Sequence, residues 1–119
     1  MRVTGFPSPA DEYGVVGLSL HEHLVPSPNS TYFVRVAEEL APNVRVGDLL
    51  VVDRAVAASN GGLVLVVLDG QLCLRRFHRR GPHTWLMPLA VGAPKRLQDG
   101  DENTLWGSVT YVIHRAQVA

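Results

Sequence analysis

The stretch GLVLVVLDGQLCLRRF, Gly62 to Phe77, is two apolar runs held apart by a single Asp69-Gly70 pair. An Asp-Gly pair in that setting is the strongest short-range sign of a β-hairpin. The two-residue turn that matches strand twist needs positive φ at both central positions. Glycine adopts that conformation freely and aspartate tolerates it. Strands are therefore expected over Gly62–Leu68 and Gln71–Phe77. On either side the pattern repeats. Thr31–Val36 (TYFVRV) is rich in aromatic and β-branched residues, and Leu49–Asp53 (LLVVD) follows a Gly47-Asp48 turn. Trp85–Leu89 and Ser108–Ala116 supply two more strands. In the last, Val109, Tyr111 and Ile113 are expected on one face and Thr110, Val112 and His114 on the other. Ala93–Asn103 is polar and reads as loop. Ahead of the strands, Gly17–Val25 has apolar residues for one or two turns of helix with Ser19 as its cap, and Gly5–Pro9 is an extended, proline-stiffened arm. Short strands at this spacing imply a mainly β fold, a twisted barrel or sandwich of short strands. One domain is expected over 1–119, with an extended arm over 1–16 and the β domain over 17–119.

With 119 residues, 46% of them hydrophobic, the chain can bury one core without disulfides or metals. The 11 basic and 11 acidic residues cancel, which removes any whole-molecule electrostatic case for a dedicated nucleic-acid or membrane binder. Cys73 is the only cysteine, so an internal disulfide and a multi-cysteine zinc site are both impossible. No apolar run approaches the roughly 20 residues that span a bilayer, and the start does not read as a signal peptide, so a cytoplasmic location is expected.

Several stretches in fixed order carry a family resemblance: GFPSPADEY (Gly5–Tyr13), STYFV (Ser30–Val34), GDLLVVD (Gly47–Asp53), Ala58-Ser59, the Asp69-Gly70 hairpin, and WGSVTYVI (Trp106–Ile113). In these the chain resembles the UmuD branch of the LexA-like self-cleaving serine peptidases, over nearly its whole length. The resemblance implies a β-rich homodimer with a Ser-Lys dyad, the serine just after the TYFV strand and the lysine on the second strand of the hairpin. Here the nucleophile position falls on Leu40 and the base position on Arg75. No serine occurs between Ser30 and Ser59, and Lys95 is the only lysine. A dyad lysine must lose its proton to act as base, and a guanidinium keeps its proton in proteins. The expected protein is therefore a pseudo-peptidase that binds partners, with no catalytic residues, no cofactor and no metal. The partners that the resemblance implies are a second copy, a Y-family translesion DNA polymerase of the SOS response, an intact UmuD-type protein and a RecA filament. Self-cleavage in the family falls just before the glycine of GFPSP, so beginning near Gly5 resembles the processed form. One alternative is an active peptidase with rearranged residues, such as Ser59 with Lys95. Another is a regulator that pairs with an intact relative. Direct operator binding is not expected, because a Pro-rich arm supplies no helix-turn-helix.

The remaining constellations have plainer readings. His21 and His23 are two apart and do not share a helix face, so a metal pair is not expected. Six serines and five histidines permit a triad by inventory, but no Gly-x-Ser-x-Gly elbow is present. Arg75, Arg76, Arg79 and Arg80 with His78 and His83 form a basic cluster. It reads as a solvated hairpin end, with contact to phosphate or an acidic partner as the functional alternative. Arg75 is expected to be partly enclosed beside Glu38 or Glu39. Cys73, Trp85 and Trp106 read as core.

Overall fold

The computed structural model describes residues 20–38, 43–101 and 104–116. It is mainly β. A short helix, α1 (Leu20–Leu24), precedes seven strands: β1 (Thr31–Arg35), β2 (Leu49–Asp53), β3 (Leu63–Leu68), β4 (Gln71–Arg80), β5 (His83–Met87), β6 (Lys95–Leu97) and β7 (Leu105–Ile113). All pairings are antiparallel, in one sheet of order β1-β2-β7-β3-β4-β5-β6. The hairpin that dominates the sequence forms as expected: Asp69 and Gly70 have φ of 52° and 76°, and Leu68 pairs with Gln71. The extended arm and Ser19 lie outside the described residues.

β5 runs two residues earlier than the expected Trp85–Leu89, and three other segments differ more from the sequence reading. The second hairpin strand continues past Phe77 to Arg80, because Gly81, at φ 57°, turns the chain and Arg80 pairs with His83. Lys95 is not in a loop: Lys95–Leu97 adds to β5 as an edge strand, through backbone bonds that its polar side chains do not advertise. Simple alternation also fails in β7. The register skips Thr110 between Val109 and Tyr111, and skips Trp106 between Leu105 and Gly107. Each extra residue is a β-bulge, which re-aims the side chains after it. Val109 and Val112 consequently pack against the same buried cluster, whereas Tyr111 and Ile113 are exposed. The Thr110 hydroxyl donates to the Val51 carbonyl at 3.2 Å, at the bulge itself.

Buried side chains form two clusters. Val36, Val44, Leu50, Val52, Leu65 and Leu74 make one; Val64, Val66, Phe77 and Leu86 make the other. Alternation puts Leu65 and Leu74 on one face of the sheet, and Val64, Val66 and Phe77 on the other. The two sheet edges differ. Edge strand β1 exposes Tyr32 and Phe33, at 45% and 50%. Edge strand β6 has three residues, begins Lys95-Arg96 and follows Pro94.

Candidate functional site

A groove of about 470 Å³ lies between the end of β1 and the start of β4. Its walls include Val34, Ala37 and Glu38 on one side and Leu72, Cys73 and Arg75 on the other, with Leu50 and Leu65 below. The sequence brings these together in two ways. The β1–β2 pairing carries the segment after Arg35 back over the sheet, and it is fastened there by Val36 N–H to the Asp48 carbonyl and Gly47 N–H to the Val36 carbonyl, both at 2.9 Å. The Asp69-Gly70 turn then sets β4 beside β3.

Arg75 is half-buried in this groove, as the sequence reading expects, and of its two expected partners only Glu38 is among the described residues. Its Nη1 donates to the Leu74 carbonyl at 2.8 Å, and among the described residues it forms no ion pair with Glu38. A carbonyl on the same turn of strand is within easy reach of a guanidinium, and it spares Glu38 the entropy of being held. Glu39 and the nucleophile-equivalent Leu40 lie outside the described residues. Ser59 and Lys95 are not brought together. Ser59 sits in the loop leading into β3, and Lys95 is exposed on β6, which β4 and β5 separate from β3. Cys73 packs at the margin of the second cluster, with Sγ 3.8 Å from the Gln71 carbonyl.

Long-range polar contacts that no local pattern announces hold the frame of the groove. Asp53, buried at the end of β2, accepts from the Ser30 hydroxyl at 2.7 Å and from Ala55 N–H at 2.9 Å, both on Oδ1. The Ser30 hydroxyl and the Ala55 amide hold its carboxyl below the ordinary value of 3.8, against the opposing pull of desolvation. Asp48 is likewise lowered, first by the Arg45 N–H at 2.8 Å and then by His114, whose Nδ1 is 2.6 Å from Oδ2. His23 of α1 lies 3.1 Å from the Tyr111 hydroxyl, so the histidine motif anchors the helix to β7.

The lowered carboxyls fix how the fold responds to acid. Unfolded, Asp53 takes up a proton near pH 3.8; folded, it resists until lower pH. Its stabilisation is therefore complete above that value and is lost as pH falls through it toward the folded value. In urea titrations from about pH 7 to about pH 2, Asp53→Asn should lower stability at neutral pH, because a neutral acceptor replaces a carboxylate. The gap to the parent should close as the solution is acidified. A gap that stays constant with pH would remove Asp53 from the acid response.

The two tryptophans have different fates. Trp106 packs against the first cluster, between Tyr32, whose ring centroid is 5.2 Å away, and Arg54, whose guanidinium carbon is 4.5 Å over the ring. Trp85 is half-buried but belongs to neither cluster, which corrects its expected place in the core. Its partner across the sheet is His78, not an apolar residue, so the β5 side chain that enters the core is its neighbour Leu86.

The described residues thus form one antiparallel, mainly β sheet with a groove between the end of its first strand and the second strand of a tight hairpin. A family model described as Peptidase S24-like matches residues 3–110, and the chain belongs to that family. It is 39% identical over 111 residues to Protein MucA of Salmonella typhimurium, covering 90% of this chain and 75% of the relative. It is 36% identical over 115 residues to Protein ImpA of Escherichia coli, covering 95% and 79%. A LexA repressor from Acidothermus cellulolyticus is 39% identical over 69 residues, 58% of this chain and 24% of the repressor. Among the described residues no helix is long and apolar enough to cross a membrane, and no group of three metal-ligating side chains is assembled.

Proposed function

We propose that this member of the S24-like family is a binding subunit without peptidase activity, a dimeric accessory to a translesion polymerase in SOS damage tolerance. What supports it is the groove's second wall, which holds a half-buried arginine, Arg75, where the family resemblance implies a lysine. A guanidinium cannot take a proton from a nucleophile at any pH that a folded protein survives. The sole lysine, Lys95, is exposed on the edge strand β6, away from the groove. The relatives MucA and ImpA support the pathway, and the apolar edge of β1 supports pairing with a second copy or with an intact relative.

The reading is tested by activity and association together. Incubated at alkaline pH, which favours any lysine base, the chain should cut neither itself nor an intact family member supplied in trans. It should sediment as a dimer at tens of micromolar, roughly the range of moderate interfaces. Restoring both residue types should not restore cleavage. In Leu40→Ser with Arg75→Lys, the new lysine shares its groove with Glu38, and a nearby carboxylate favours the charged amine. The segment 37–46 also contains no glycine to make a tight nucleophile turn. Displacement by about 1 Å can cost ~100-fold in rate. Site-specific cleavage by the parent chain would overturn the reading. Efficient cleavage by the double variant would show that the groove has kept catalytic geometry and that only two side chains have changed.

A further inference from the structure

The basic cluster is divided by the pleat of the sheet. Continuous registers pair His78 with Trp85 and Arg80 with His83, and pair Trp85 with Arg96. Paired residues share a face, and successive residues alternate between faces. Arg76, His78, Arg80, His83, Trp85 and Arg96 therefore stand on one side of β4–β5–β6, and Phe77, Arg79, Thr84 and Leu86 stand on the other. Arg79 is spoken for there, with its guanidinium carbon 5.6 Å from the Phe77 ring centroid. His78, Arg80, His83 and Arg96 are all exposed. Trp85 lies in the middle, one strand from His78 and one from Arg96, and packs into neither buried cluster. The row His78–Trp85–Arg96 spans about 10 Å, two strand spacings.

No described carboxylate is placed among these residues. Asp99 and Asp101 line a cavity with Phe77, Arg79 and Thr84, on the opposite face. Asp48 and Asp53 are buried at the two ends of β2, and Glu38 lines the groove at the start of β4. Asp69 is at the hairpin tip at the far end of β4, and Glu22 is on α1. A chain of zero net charge has thus collected cations, with no described carboxylate among them, around one aromatic ring that the core does not use.

We propose that this face binds single-stranded nucleic acid without reading its sequence, a base stacking on Trp85 while Arg80 and Arg96 meet the flanking phosphates. An aromatic platform set between cations fits unpaired bases, because every base has a stacking face and every linkage a charge. A duplex keeps its bases stacked on one another and offers Trp85 nothing. An acidic peptide offers charge and no ring. The surface lies outside the groove, so it stands whether or not peptidase chemistry is present.

The test is fluorescence anisotropy with labelled DNA and RNA oligonucleotides, single-stranded and duplex, at about 50 mM salt, with tryptophan emission followed in parallel. Single strands should bind, quench Trp85 emission, and lose affinity steeply with added salt. Arg80→Glu with Arg96→Glu should weaken binding at least about tenfold, and both sites are exposed, so the fold survives. Trp85→Leu should weaken binding by about tenfold while leaving the salt dependence nearly unchanged. Arg115→Glu, at the far end of β7 beside Arg35 and Arg45, should change little. A preference for DNA over RNA, or the reverse, identifies which strand is bound and leaves the proposal standing. Four results would overturn it: no binding at low salt, duplex binding as tight as single-strand binding, equal affinity for a poly-glutamate peptide, or loss of binding on Arg115→Glu with none on the Arg80 and Arg96 pair.

Discussion

Leu50→Ala is expected to cost about 2–5 kcal/mol of folding stability. Leu50 is 2% exposed and sits in the strand that joins β1 to β7, paired with Val34 on one side and Val112 on the other. Its side chain packs with Val36, Val44, Val52, Leu65 and Leu74, and it also floors the groove between Glu38 and Arg75. Sheet backbone cannot collapse readily into the space left by a missing isobutyl group, since hydrogen bonds on both sides hold β2 in place. The cavity contribution therefore adds to the lost transfer energy. Because domains of this size are held by only about 5–15 kcal/mol, the variant should unfold at visibly lower urea. Val91→Ala, at a position 97% exposed, is the control and should change stability by no more than about 0.5 kcal/mol. If Leu50→Ala behaves like the control, the first cluster is not the core of this fold.

Gly107→Ala should be nearly as damaging, for the opposite reason. A Cβ at this position would stand 2.7 Å from Val52 Cγ1, 3.4 Å from Arg54 Cγ and 3.6 Å from the Asp53 carbonyl. Val52 is completely buried and, being β-branched, is stiff at χ1, so it cannot swing clear. Separating the strands instead would strain the β2–β7 and β3–β7 ladders that meet here. Overpacking of this kind costs about 1–3 kcal/mol. The mechanism is checked by a double-mutant cycle with Val52→Ala. Val52→Ala alone opens a cavity and destabilises; combined with Gly107→Ala, the new methyl occupies that space. The double variant should be more stable than the sum of the single losses predicts, by about 0.5 kcal/mol or more. Strict additivity would mean that the glycine matters for some other reason.

Local chemistry explains which parts of this architecture can be read from the sequence. The β3–β4 hairpin is legible because its turn requires two residues with positive φ and Asp69-Gly70 supplies them. Leu49–Asp53 is legible as a continuous apolar run, since neighbours on both sides bury it. The insertion of β7 between β2 and β3 is not legible, because a pairing between Val52 and Val109 leaves no mark on either segment. Its bulges at Trp106 and Thr110 then spoil the alternation that would assign its faces. β6 is hidden for another reason: Lys95 and Arg96 are chosen for an edge, and an edge strand is held through its backbone. In the groove, the place of Arg75 on β4 is legible from the hairpin register, and its match to the family's lysine is what the resemblance implies. The anchors Asp48–His114 and Asp53–Ser30, by contrast, link residues whose sequence offers no clue that they meet.

The unlike edges of the sheet have a consequence for growth. In polymer terms, a sheet with two adhesive edges is a bifunctional monomer, and each addition regenerates a site for the next. Here β6 is three residues long, follows a proline and carries Lys95 and Arg96, so a second β6 approaching it meets like charge and has little backbone to pair with. Among the described residues, the five-residue β1, with Tyr32 and Phe33 exposed, is the inviting end. In its two edge strands the described sheet is thus monofunctional. Coupling through β1 would consume the inviting end of both partners, so strand addition by this route would end at a pair.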